Sequence, residues 1–183
     1  MNRHNGFTLI ELMVTVAMVA ILASIAVPSY RQYVIRNAES QAQAKMKQLE
    51  IELNRWLATA LTYKGFKPAK VASDSTTSYG YDETDNKTIY VPANSTSSNY
   101  QYKILLVDGD NTANSLVPTA SSTLSNSLTA GRAWVMFATP NPTKFNDAHK
   151  ILLTSSGTQC KTKNSDTSVT IASTNCGTYS ETW

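Results

Sequence analysis

The sequence predicts an α+β fold, in which one long N-terminal helix packs on an antiparallel β-sheet. Three observations predict it. An apolar run near the N-terminus leads into a long stretch of helical periodicity. Short β-rich segments then recur through the second half of the chain, each stopped by Gly, Pro, Asn or Asp. Only one helix precedes them, so the strands pair antiparallel and bury their inner face against it.

The helix is read in two halves. Phe7 to Val27 is apolar except for Thr8, Glu11, Thr15 and Ser24. At 1.5 Å per residue it spans about 31 Å, close to the roughly 30 Å of a bilayer core. The polar residues 1–6 precede it, and Arg3 there favours a cytoplasmic start by the positive-inside rule. Arg31 and Arg36 beyond the span weaken that asymmetry. Pro28 closes the run and predicts a bend. Periodicity continues past it: Tyr30, Val34, Ala38, Ala42, Met46, Leu49, Leu53, Trp56 or Leu57, and Ala60 recur at steps of three or four, one apolar stripe. Arg36, Glu39, Lys45, Lys47, Glu50, Glu52 and Arg55 are assigned to the solvated face. The expected helix runs from Phe7 to about Thr62, and the sheet covers the stripe from Tyr30 to Ala60. Gly65 and Pro68 forbid continuation.

Residues 63–99 read as a connecting loop with a short strand at Thr88 to Val91. Strands are expected at Tyr100 to Val107, Ala133 to Thr139, Lys150 to Thr154 and Ser168 to Ala172. Asp108-Gly109-Asp110-Asn111 reads as a hairpin turn, and Asn114 to Thr129 as a polar insertion. The layout is therefore a 1–6 leader, a 7–27 membrane half-helix and a 28–62 amphipathic half-helix. A 63–99 loop, a 100–159 sheet and a 160–183 cysteine-bounded loop and tail follow.

Composition narrows the function. The 183 residues suffice for one domain with a core, and a net charge of +3 is too small to indicate nucleic acid. Cys160 and Cys176 read as one disulfide in an exported chain and as two free thiols in the cytosol. Their spacing is too wide for C-x-x-C redox chemistry, and no nearby histidines complete a zinc site. His149 and His4 are the two histidines, no G-x-S-x-G element occurs, and the Asp108 to Asn111 run lacks the later glutamate of a calcium loop. These features predict neither an enzyme nor a cofactor or metal. Asn86-Lys87-Thr88 and Asn94-Ser95-Thr96 fit the N-glycosylation pattern. Residues 31–70 carry eight Lys or Arg against three Glu, and the acids Asp74, Asp82, Glu83 and Asp85 complement them. Lys144, Lys150, Lys161 and Lys163 offer an anionic partner a surface, but four lysines give nucleic acid only weak support.

Glu11 is the informative exception in the apolar run. A carboxylate inside a membrane helix costs about 2.5–3.5 kcal/mol at the centre and less near an end, so it marks function. An ordinary secretory signal, cut after Ala26 behind Ser24-Ile25-Ala26, has no use for it. If the chain is cut between Gly6 and Phe7, the new amine lies one helical turn from Glu11. The two groups can then pair within one subunit or between neighbours.

Gly6-Phe7-Thr8-Leu9-Ile10-Glu11-Leu12-Met13-Val14 resembles the processing site of type IV prepilins almost residue for residue. The similarity continues through Pro28-Ser29-Tyr30-Arg31-Gln32-Tyr33-Val34-Ile35-Arg36, as in the type IVa branch, and covers about the first 40 residues. The resemblance implies a pilin fold and cleavage by a prepilin peptidase between Gly6 and Phe7, with N-methylation of Phe7. It implies assembly roles for Glu11 and Thr8 and a kink at Pro28. It further implies an inner-membrane subunit with a periplasmic head, extracted by an ATP-driven assembly platform into an extracellular filament of other pilin subunits. Such filaments support twitching motility, adhesion or DNA uptake. Trp56 and Leu61-Thr62-Tyr63-Lys64-Gly65-Phe66 resemble a PilE-like minor pilin more than the main subunit. A type II secretion pseudopilin and a pilin-like tip adhesin or DNA-binding module are the alternatives.

Overall fold

The computed structural model describes residues 8–72, 74–117, 131–177, 181 and 183. The chain forms two compact units, Met1–Asn37 and Ala38–Trp183. One helix, α1 (Leu9–Ala60), contributes to both and carries Pro28 inside it. Loss of one backbone donor at Pro28 does not end a helix whose other bonds persist on both sides. After α1, Leu61 adopts a left-handed φ of 58°, and its N–H still donates to the Leu57 carbonyl at 2.9 Å.

Seven strands follow: β1 (Ala69–Val71), β2 (Thr77–Tyr79), β3 (Thr88–Val91), β4 (Tyr102–Asp108), β5 (Trp134–Pro140), β6 (His149–Thr154) and β7 (Gln159–Lys163). β1 and β2 form a separate two-stranded hairpin, and the other five form an antiparallel sheet in the order β3-β4-β5-β6-β7. The fold class is the α+β arrangement that the pattern predicts.

Pairing register assigns the faces. Ile104 lies opposite Ala138, Ala138 opposite Ile151, and Ile151 opposite Lys161, so these four share one face. This is the helix side, because Glu39 of α1 reaches Lys161 and His149. Ala38, Ala42, Met46, Leu49 and Leu53 of α1 are buried together with Tyr102, Ile104, Leu106 and Met136. The buried stripe is shorter than expected: Tyr30 is exposed, Val34 is half-buried and Trp56 is 36% exposed. On the opposite face Val107, Val135, Phe137, Leu152 and Cys160 form a second apolar cluster with Val169. The central strands are covered on both sides, so β5 reads as a nearly continuous apolar run.

Several local expectations are corrected. The 63–99 segment holds three strands, since Asp74 turns the chain between β1 and β2 by accepting from the Thr76 N–H at 3.0 Å and the Thr76 hydroxyl at 2.6 Å. Ser168 to Ala172 is no strand. Its backbone is captured locally: the Thr170 N–H donates to the Ser173 hydroxyl at 2.9 Å, and the Ser173 N–H to the Thr170 carbonyl at 3.0 Å. β7 takes the sheet position instead. Asp108 does not open a tight hairpin, because the link from β4 to β5 spans residues 109–133. Buried Asp108 accepts from the N–H groups of Asp110 at 2.9 Å and Gly131 at 3.2 Å. Most of the expected 114–129 insertion lies outside the described residues.

Both outer strands have their free edges occupied. The Asp82 N–H donates to the Thr88 carbonyl at 2.8 Å, and the Tyr90 N–H to the Asp82 carboxylate at 2.6 Å. On β7, Lys161 and Glu181 exchange two backbone hydrogen bonds of 2.8 Å. The Trp183 indole N–H donates to the Cys160 carbonyl at 3.2 Å, and the Lys47 ammonium lies 5.3 Å from the Trp183 ring centroid.

Candidate functional site

The expected processing pair, Gly6 and Phe7, lies outside the described residues, and so does His4. The next residues begin the helix. The Glu11 N–H donates to the Thr8 hydroxyl at 3.3 Å, and the Leu12 N–H to the Thr8 carbonyl at 3.2 Å. Thr8 is therefore the N-cap of α1, and Glu11 three residues later completes the Thr-x-x-Glu pattern of a capping box. A carboxylate in the first turn also faces the positive end of the helix dipole. The capping pattern was legible in Thr8-Leu9-Ile10-Glu11 but is masked there by the apolar run that follows.

The helix is long and apolar enough to cross a membrane, and its apolar window is not buried inside the chain. Leu9 is 75% exposed and Ile25 68%. Two polar side chains within it are already paired: the Thr15 hydroxyl donates to the Leu12 carbonyl at 2.9 Å and the Ser24 hydroxyl to the Ile21 carbonyl at 2.7 Å. A hydroxyl bonded to its own helix enters lipid without an unsatisfied donor. Pro28 lies within the same helix.

Cys160 and Cys176 form a disulfide with Cα atoms 5.3 Å apart. Cys160 is fully buried in the cluster on the outer sheet face, where Cys176 and Ile171 pack at its margin. The bridge thus pins the loop after β7 over Val107, Val135, Phe137 and Leu152, with Val169 pressed beneath it.

A third constellation differs from the expectation. Glu39, assigned to the solvated helix face, is buried, because it lies three and seven residues before Ala42 and Met46 on the buried stripe. One carboxylate oxygen accepts from the His149 N–H at 2.9 Å and pairs with the His149 Nδ1 at 2.7 Å. The other lies 3.8 Å from the Lys161 ammonium. His149, expected as a surface residue, is thereby tied to α1. The Tyr102 hydroxyl donates to the His149 carbonyl at 2.7 Å. Burial first, then the Glu39 carboxylate, push the Tyr102 phenol far above its ordinary value. Of the other lysines proposed as an anionic surface, Lys150 donates to the Asp166 carbonyl at 2.9 Å, whereas Lys144 and Lys163 are exposed.

Residues 1–27 match the family model described as a prokaryotic N-terminal methylation motif. The chain is 33% identical over 92 residues to the type IV major alpha-pilin of Moraxella bovis, a match covering 50% of this chain and 55% of that protein. It is 35% identical over 80 residues to the type IV major pilin protein PilA of Myxococcus xanthus, covering 43% and 36%. Over 42 residues it is 52% identical to a fimbrial protein of Moraxella nonliquefaciens, covering 23% and 27%. The chain thus spans about half or less of the length of these relatives. No solved structure matches the chain.

Proposed function

We infer that the chain is a type IV pilin, a non-enzymatic structural subunit that is held in a membrane by the first half of α1 and built into a pilus. The observation that carries this reading is the methylation motif at residues 1–27, set on an apolar helix whose side chains are exposed. An apolar surface of that length needs either lipid or other copies of itself, and a pilin uses both in turn. The membrane is the bacterial inner membrane, with the Ala38–Trp183 unit in the periplasm. A prepilin peptidase cuts between Gly6 and Phe7, and Phe7 is methylated. An assembly platform then transfers the helix from lipid into the filament core.

In that core the Phe7 amine is a charge in apolar surroundings, and Glu11 is the carboxylate within reach. Thr8 fixes the first turn, which holds Glu11 one turn from the amine. Pro28 is assigned the bend at the end of the apolar run. The names of the relatives weigh towards a major subunit, whereas the segment from Tyr30 to Pro68 carries the minor-pilin reading. Counting this chain against all pilin in sheared filaments separates the two. The test of the reading is mass spectrometry of the mature protein. A start at methylated Phe7 is expected, and a start at Val27 would replace the pilin reading by a secretory signal.

A further inference from the structure

The Glu39–His149 pair borders a cleft of about 360 Å³ lined by Asn146, Asp147, His149, Lys163, Asn164 and Ser165. His149 and Lys163 are directly opposed in the β6–β7 register. Cross-strand neighbours share a face with Cβ atoms roughly 5 Å apart, so the His149 ring and the Lys163 ammonium line the same cleft. Glu39 is engaged with His149 on one oxygen and with Lys161 on the other, and no contact joins it to Lys163.

That engagement orients the ring. An ionised carboxylate only accepts hydrogen bonds, so His149 Nδ1 carries the proton that Glu39 receives and Nε2 is left for a ligand. Every lining residue is polar, and five of the six can donate. The Asn164 amide bonds the Asn146 carbonyl at 3.2 Å and the Asn146 side-chain oxygen at 3.3 Å, tying together the two loops that form the walls. Asp147 is the single carboxylate in the lining, and it is exposed to screening solvent. The charged or titratable groups around the ring are Glu39 from α1, Lys161 and Lys163 from β7, Asp147 from the preceding loop and the Tyr102 phenol from β4. Glu181 lies beyond Lys161 at 3.9 Å.

We propose that this cleft binds a small hydrophilic oxyanion, the phosphate or carboxylate group of a sugar, between His149 and Lys163. The anion pairs with the Lys163 ammonium, while His149 Nε2, the amides and the Ser165 hydroxyl serve the sugar hydroxyls. This site is independent of the filament reading.

The experiment is an NMR titration of the full chain in detergent micelles with glucose 6-phosphate, glucuronate, inorganic phosphate and glucose. Saturable shifts at His149, Lys163, Asn164 and Ser165 are expected with the first two, and none with glucose. Lys163→Ala weakens binding about tenfold, the loss of one charge-assisted contact. Lys144→Ala, outside the cleft, leaves it unchanged. Absence of saturable shifts, or equal losses in the two lysine variants, would overturn the site. Inorganic phosphate binding as tightly as glucose 6-phosphate would overturn the sugar part of the ligand.

Discussion

Glu39 shows how one side chain can stabilise by position as much as by charge. Glu39→Ala removes the acceptor of the His149 N–H and leaves Lys161 without its buried partner, and an unsatisfied buried donor costs about 1–3 kcal/mol. Thermal unfolding of the variant is expected to fall by several degrees, while Glu39→Gln, which keeps one acceptor, loses less. Equal losses would show that the charge alone matters. Asp85 acts at a turn. It accepts from the N–H groups of Lys87 at 2.9 Å and Thr88 at 3.0 Å, and from the Thr88 hydroxyl at 2.6 Å. Burial raises this carboxyl, but those hydrogen bonds outweigh burial and hold it below its ordinary value. A depressed folded pKa gives stability that is present above the unfolded value of about 3.9 and is lost as pH falls through the folded value. Asp85→Ala is therefore expected to destabilise at neutral pH, with the difference from the parent shrinking as pH falls through the folded value. A constant difference across that range in acid titrations followed by circular dichroism would contradict it.

At the scale of elements, α1 ends on Leu61, a residue 86% exposed at a φ of 58°. A left-handed non-glycine residue costs about 1–2 kcal/mol, and its exposed side chain packs nothing in return. Leu61→Gly is expected to raise stability by about 0.5–1 kcal/mol, measured by denaturant midpoint. A loss would mean that the leucine packs in the folded chain. The strands show what was legible in the sequence. β3, β4, β5 and β6 fall where β-rich apolar runs predict them, each within two residues. β7 was hidden because its Gln-Cys-Lys-Thr-Lys sequence is mostly polar, as suits an edge position. The hairpin of β1 and β2 was hidden in a polar loop, since its three-residue strands carry too little periodicity to read. Glu39 could have been found from its spacing to Ala42 and Met46. Its partner His149, 110 residues away, is visible only once the sheet is formed.

For the whole molecule, anchor and head are separable in principle: the Ala38–Trp183 unit carries both apolar clusters and the disulfide. Glu11→Ala is therefore expected to leave membrane level and disulfide formation intact and to reduce recovery in sheared pili. If Phe7 is the mature N-terminus, as proposed, its amine enters an apolar filament core unpaired, which is costly. Normal recovery would remove the role of Glu11, and loss from the membrane would move that role to insertion or processing.

The occupied edges of β3 and β7 have a consequence for life before assembly. Precursor subunits confined to a bilayer plane meet one another far more often than proteins dissolved in a volume. A sheet with bare margins would, under that crowding, join its neighbour strand to strand and grow into a cross-β aggregate. Here Asp82 fills one margin and Glu181 the other, so neither outer strand offers a bare edge to a second copy.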